Sequence, residues 1–147
     1  MTDTIESLNY LNVNGDITSS SGQFGYMISK SFGTSQDLGN TANFARLATH
    51  YLLTPTTGSL TLTLPEIRAA GSSDVTKVNI GWYCDITNRA TNTVRTLNIL
   101  EGATSTSIGF TLRASYFARF QAIANGTPDI WLVTMTTPLD LLTLQDS

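Results

Sequence analysis

Leu60-Thr-Leu-Thr-Leu-Pro65, Tyr83-Cys-Asp-Ile-Thr-Asn88 and Thr93-Val-Arg-Thr-Leu-Asn-Ile99 set a cadence that runs on to Ile130-Trp-Leu-Val-Thr-Met135. Apolar residues alternate with Thr, Asn or Arg through most of these runs, the period of a strand with one face buried and one in water. Leu60, Leu62 and Leu64 share a face, and Pro65 stops the run because its nitrogen has no hydrogen for a ladder. Val78, Ile80 and Trp82 predict a further strand, with Tyr83 breaking the alternation at a bulge or bend. Phe110 to Ile123 reads as two strands broken near Ala114-Ser115. Asn125-Gly126 then predicts a hairpin into the Trp131 strand.

Outward from this cadence the signals thin. Phe24, Tyr26 and Ile28 predict a strand ending near Phe32-Gly33, and Asn14-Gly15 predicts an earlier hairpin. The segment Asn43–His50 reads as helix or as the start of a strand into Tyr51-Leu-Leu53. Roughly seven to nine short strands at such spacing predict an all-β fold, an antiparallel β-sandwich of jelly-roll type. We divide the chain of 147 residues into an N-terminal arm (1–21), a sandwich domain (22–137) and a C-terminal tail (138–147).

Charge is sparse: 13% charged residues, net −3, with Lys30 and Lys77 the only lysines. Six scattered arginines form no stripe that would neutralise phosphates, so no nucleic-acid role is expected. No apolar run nears the roughly 20 residues that span a bilayer, and Met1-Thr-Asp-Thr-Ile-Glu6 lacks a secretory pattern. A chain made and folded in cytosol, without membrane contact, is the expectation. Cys84 is the one cysteine, so neither an intrachain disulfide nor a multi-cysteine metal site can form.

Chemistry is hard to find. Cys84, His50 and Asp85 would make a nucleophile set on paper, but Cys84 sits between Trp82 and Ile86 as a small buried hydrophobe would. The carboxylates fall singly on turns, where Asp bonds its own backbone; a glycosidase pair, for instance Asp85 with Glu101, would have to converge across a cleft. Tyr51, Tyr83, Tyr116, Trp82 and Trp131 could form a sugar platform, although each fits a core pattern. Asn125-Gly-Thr127 is formally a glycosylation acceptor, but the hairpin reading is preferred. No catalytic, cofactor-binding or metal-binding residue is nominated, and the protein is expected not to be an enzyme.

Three of these segments carry a resemblance. The strand ending in Leu64-Pro65, the strand–turn–strand phrase Tyr83–Ile99, and Asn125-Gly126 followed by Trp131 resemble the β-sandwich heads and knobs of viral, phage-type structural proteins. Gly15-Asp-Ile-Thr18 resembles phrases that precede some fibre heads. The resemblance implies a tail-fibre head or capsid-decorating (cement) module, commonly trimeric, located in the virion. Its partners would be further copies of itself and major capsid or tail proteins. A receptor- or carbohydrate-binding head on a host-surface glycan is the alternative. Contacts are expected from the arms Met1–Ser21 and Pro138–Ser147.

Overall fold

The computed structural model describes residues 26–139. Among these residues lie nine strands and no helix: β1 (Met27–Phe32), β2 (Gln36–Asp37), β3 (His50–Pro55), β4 (Leu60–Thr63), β5 (Tyr83–Asn88), β6 (Leu97–Leu100), β7 (Ser107–Leu112), β8 (Tyr116–Ala124) and β9 (Ile130–Pro138). They form two sheets, one ordered β1-β3-β5-β8-β9 and the other β2-β4-β6-β7. The all-β sandwich is therefore as the alternation predicts. The Asn14-Gly15 hairpin and both arms lie outside the described residues, apart from Pro138 and Leu139.

Strand direction corrects the sequence reading. The pairs β1–β3, β3–β5, β2–β4 and β4–β6 are parallel, whereas β5–β8, β6–β7 and β8–β9 are antiparallel. This mixed pairing replaces the antiparallel jelly roll. The reason lies in the connections. From β1 to β6 each link crosses to the opposite sheet, so the next strand in the same sheet starts from the same end. Only β6–β7 and β8–β9 are links within a sheet. Successive strands thus point to alternate poles of the sandwich. The loops 33–35, 56–59, 89–96 and 113–115 gather at one pole; the loops 38–49, 64–82, 101–106 and 125–129 gather at the other.

The core fills the space between the sheets. Tyr51, Leu53, Ile86, Ala118 and Phe120 face it from one sheet, and Leu62, Leu97, Ile99 and Leu112 from the other, all fully buried. Phe110 meets Phe120 across the layers in an edge contact with ring centroids 5.6 Å apart. The Tyr51 ring meets Phe44 edge-on at 5.6 Å. Its hydroxyl accepts the Ala48 N–H at 2.8 Å, and burial pushes the phenol far above its ordinary pKa.

Three local expectations change. Residues 38–49 form a loop of turns, and the strand begins at His50. The run Val78–Trp82 is no strand: Val78 makes an isolated bridge to Ile67, and Trp82 N–H closes a turn on the Asn79 carbonyl around Gly81 at φ +93°. The hairpin after β8 is not a two-residue Asn-Gly turn. Residues 125–129 make a longer loop in which the Gly126 N–H donates to Asp129 Oδ1 at 3.0 Å. The break at Ala114-Ser115 falls where expected, with Ser115 at φ +60°.

Candidate functional site

Alternation along a strand sends neighbours to opposite faces of the sheet, and this splits the paper nucleophile set. Cys84 is fully buried in the core, where burial raises its thiol well above the ordinary range. His50 and Asp85 lie on the outer face of the five-stranded sheet. Glu101 belongs to the β6–β7 loop of the other sheet, away from Asp85. The residues that sequence reading could combine for nucleophilic or glycosidic chemistry are not brought together.

Register instead assembles a row on that outer face. Met27, His50, Asp85 and Arg119 are successive partners across β1, β3, β5 and β8. Arg119 grips Asp85 with two parallel bonds, Nε to Oδ1 at 2.6 Å and Nη2 to Oδ2 at 2.9 Å. This fork geometry is the strongest form of side-chain ion pairing. Asp85 is only 5% exposed, because the guanidinium lies above it and His50 Nδ1 stands 3.4 Å from Oδ2. The bond from Arg119 to the carboxylate raises the guanidinium's own affinity for its proton. Arg119 also stacks over Tyr83, 5.0 Å from the ring centroid.

Apolar side chains share this face with the pair. Met27 is 57% exposed, Leu132 48% and Tyr83 42%. Tyr83, Gln121 and Leu132 form the adjacent row, and Leu52, Thr87 and Phe117 the row beyond the ion pair. The strands of this sheet place no lysine or glutamate on the face. Lys30, on the edge strand β1, points inward; its ammonium donates to Gln36 Oε1 at 2.8 Å and to the Asn43 carbonyl, above the Phe44 ring.

The aromatic platform does not assemble. Tyr51 is in the core, Trp82 and Trp131 pack on each other edge-on at 6.0 Å, and Tyr83 lies on the outer face. At the pole of the 64–82 loop a cleft of about 110 Å³ opens between Asp37, Glu66, Lys77 and Gly102. That is well below the roughly 300 Å³ at which small-molecule sites begin.

Two buried carboxylates at this pole organise loops. Glu101 accepts the backbone N–H groups of Ala103 at 2.7 Å, Thr104 at 2.6 Å, Thr106 at 3.1 Å and Asp129 at 2.9 Å, and the Thr104 hydroxyl. Burial pushes its carboxyl up, but these donors outweigh that effect and hold it at about 2. Asp129 accepts from Ile67 N–H at 2.9 Å and from Gly126. Both residues thus hold these loops through bonds to backbone donors.

Sequence reading missed Arg119 as the partner of Asp85, since the two stand 34 positions apart and only the β5–β8 register joins them. It also read Glu101 as an ordinary loop acid. No protein-family model matches this chain, and no curated protein matches it in sequence.

Proposed function

We propose that this protein is a non-enzymatic structural module that self-associates, as a trimer, through the outer face of its five-stranded sheet. The observation that carries this reading is the pre-formed Asp85–Arg119 pair, its carboxylate covered, on a face that also presents exposed Met27, Tyr83 and Leu132. Methionine, tyrosine and arginine are the residues enriched where interfaces are buried, and lysine and glutamate are depleted there. The Asp85 carboxylate is already covered, so a partner seating on the face has only the part-exposed Arg119 guanidinium left to desolvate, while its two bonds to Asp85 stay made. The likeness of Leu60–Pro65 and Tyr83–Ile99 to viral strand phrases supports a virion setting, as a decoration or fibre-head module docking on a capsid or tail surface. The inward Lys30 on β1 supports face contact over edge pairing, because an inward charge is one of the devices that blunt a sheet edge.

Light scattering on the full-length chain tests the reading. A mass near three times 15.9 kDa is expected. Leu132→Asp and Met27→Asp, at exposed positions that leave the core intact, should return it to one chain mass with an unchanged circular dichroism spectrum. A wild-type monomer across the concentration range, or variants that stay trimeric, would overturn it.

A further inference from the structure

His50 is the only histidine in the chain, and imidazole is the side chain that ordinarily gains or loses its charge between pH 5 and 8. The register puts it inside the outer-face row, between Met27 on β1 and Asp85 on β5. Five strands about 4.8 Å apart make this sheet roughly 19 Å wide. Met27 lies on one edge strand and Leu132 on the other. A neighbour that covers both must therefore lie over His50, whose side chain is 46% exposed.

The charges around His50 are unevenly matched. Asp85 is the one carboxylate that the five strands of this sheet carry. Both its oxygens accept from Arg119, Oδ1 from Nε at 2.6 Å and Oδ2 from Nη2 at 2.9 Å. His50 Nδ1 stands 3.4 Å from that same Oδ2. One carboxylate thus already answers one guanidinium, and a proton on His50 leaves the row with an unmatched positive charge. The elements beside His50 do not supply a second anion. On β1, Met27 and Ser29 are neutral and Lys30 points inward; β5 adds the Tyr83 phenol and Thr87. The 38–49 loop contains no carboxylate and brings a further cation, Arg46, 4.6 Å from the centroid of the Tyr26 ring. Tyr26 adjoins His50, whose N–H donates to its carbonyl at 3.0 Å.

We infer that protonation of His50 governs assembly on this face: chains join through it while the imidazole is neutral and part when it is charged. Seating a neighbour takes water from His50, and burial disfavours the charged form. In a trimer the same step encloses three unmatched cations, and desolvated charge without a partner is costly. Proton binding and assembly therefore oppose one another. A histidine held neutral in the assembly costs nothing above the ordinary imidazole value of about 6.5. Below it each chain must release a proton to join, so the association constant for three chains falls by up to about a thousandfold per pH unit. This regulation rests on the assembly reading and adds to it a proton switch near neutral pH.

Light scattering on the full-length chain over a range of concentrations, at pH 7.5 and pH 5.5 and one ionic strength, gives the two association constants. Glu101 does not interfere, because its carboxyl is held at about 2; circular dichroism at both pH values checks the fold. A trimer weaker at pH 5.5 by about a hundredfold or more is the expected result. His50→Gln should bring the ratio of the two constants near one, whatever its strength at pH 7.5. His50→Lys, which fixes the positive charge, should associate at pH 7.5 as weakly as the wild type does at pH 5.5. A wild-type trimer equally strong at both pH values, or a His50→Gln chain that keeps the full ratio, would overturn this inference and leave the assembly reading standing. So would a His50→Lys trimer as strong as the wild type at pH 7.5. A wild-type monomer at both pH values overturns the assembly reading, and this inference with it.

Discussion

Glu101 Oε2 accepts the backbone N–H of Asp129 at 2.9 Å, tying the β6–β7 loop to the β8–β9 hairpin across the two sheets. Asp129 in turn holds the Ile67 N–H at 2.9 Å. Three loops from distant parts of the chain are thus joined through two carboxylates that face backbone donors. A buried charge survives here because it is surrounded by hydrogens that cannot turn away.

This latch predicts an acid-sensitive pole. Glu101 has a folded pKa of about 2 against an ordinary value of 4.5. A depressed carboxyl contributes stability above its unfolded pKa and loses it as pH falls towards the folded value. The wild-type chain should therefore lose about 3 kcal/mol between pH 4.5 and pH 2 from this group alone. Glu101→Gln should be less stable at pH 7 by a similar amount and show a flatter acid limb. Urea midpoints recorded across that pH range check both.

Gly102 sits where that latch touches the β4 exit. A Cβ added there would lie 2.5 Å from the Glu66 nitrogen and 2.6 Å from the Pro65 carbonyl carbon, both backbone atoms. Neither can rotate aside, so Gly102→Ala should destabilise the fold by about 2 kcal/mol or more. Gly58→Ala meets nothing within 4 Å and should be nearly neutral. Thermal unfolding of the two variants side by side checks the contrast.

The alternation of Leu60, Leu62 and Leu64, and the paired faces of Ile86 and Phe120, were legible because a half-buried strand has the same period whatever its neighbours do. The same fact hid strand direction. A parallel and an antiparallel partner ask for the same alternation when one face is solvated, so the sheet-crossing links that make β1, β3 and β5 parallel left no mark on it. Val78–Trp82 mimicked a strand because Ile67, Val78 and Ala122 form a small second core cluster beneath a turn, with Trp82 packed against it. The Asp85–Arg119 row was unreadable for a different reason. It exists only through the β5–β8 register, and nothing local to Asp85 announces a guanidinium 34 residues on.

Cys84 supplies a simple probe of the core. Its side chain is fully buried between the sheets, and burial holds the thiol in its neutral form. The thiolate is the reactive species. Native protein at pH 8 should leave a thiol reagent such as iodoacetamide unreacted over hours, and labelling should track global unfolding when urea is added. Rapid labelling without urea would mean that β5 opens locally.

Asn88 gives the sharpest test of the framework at the pole of the 89–96 and 113–115 loops. Its amide nitrogen donates to the Arg95 and Leu112 carbonyls, and its oxygen accepts the Ala90 N–H at 3.0 Å. The residue is fully buried, so removing the amide strands three backbone groups at about 1 kcal/mol or more each. Asn88→Ala should therefore cost about 3 kcal/mol or more. Asn88→Asp keeps the shape yet turns two donors into a carboxylate facing two carbonyls. Ionisation is then opposed by burial and by those oxygens, which raises the folded pKa above the unfolded value of about 3.9. A raised carboxyl costs its full stability above the folded pKa and returns it as pH falls through the folded pKa towards the unfolded value. Asn88→Asp should accordingly be markedly unstable at pH 7 and approach the wild type near pH 4, the reverse of the trend set by Glu101. Denaturant titrations of Asn88→Asp at those two pH values give the sign directly; a variant equally stable at both would show that water reaches the site.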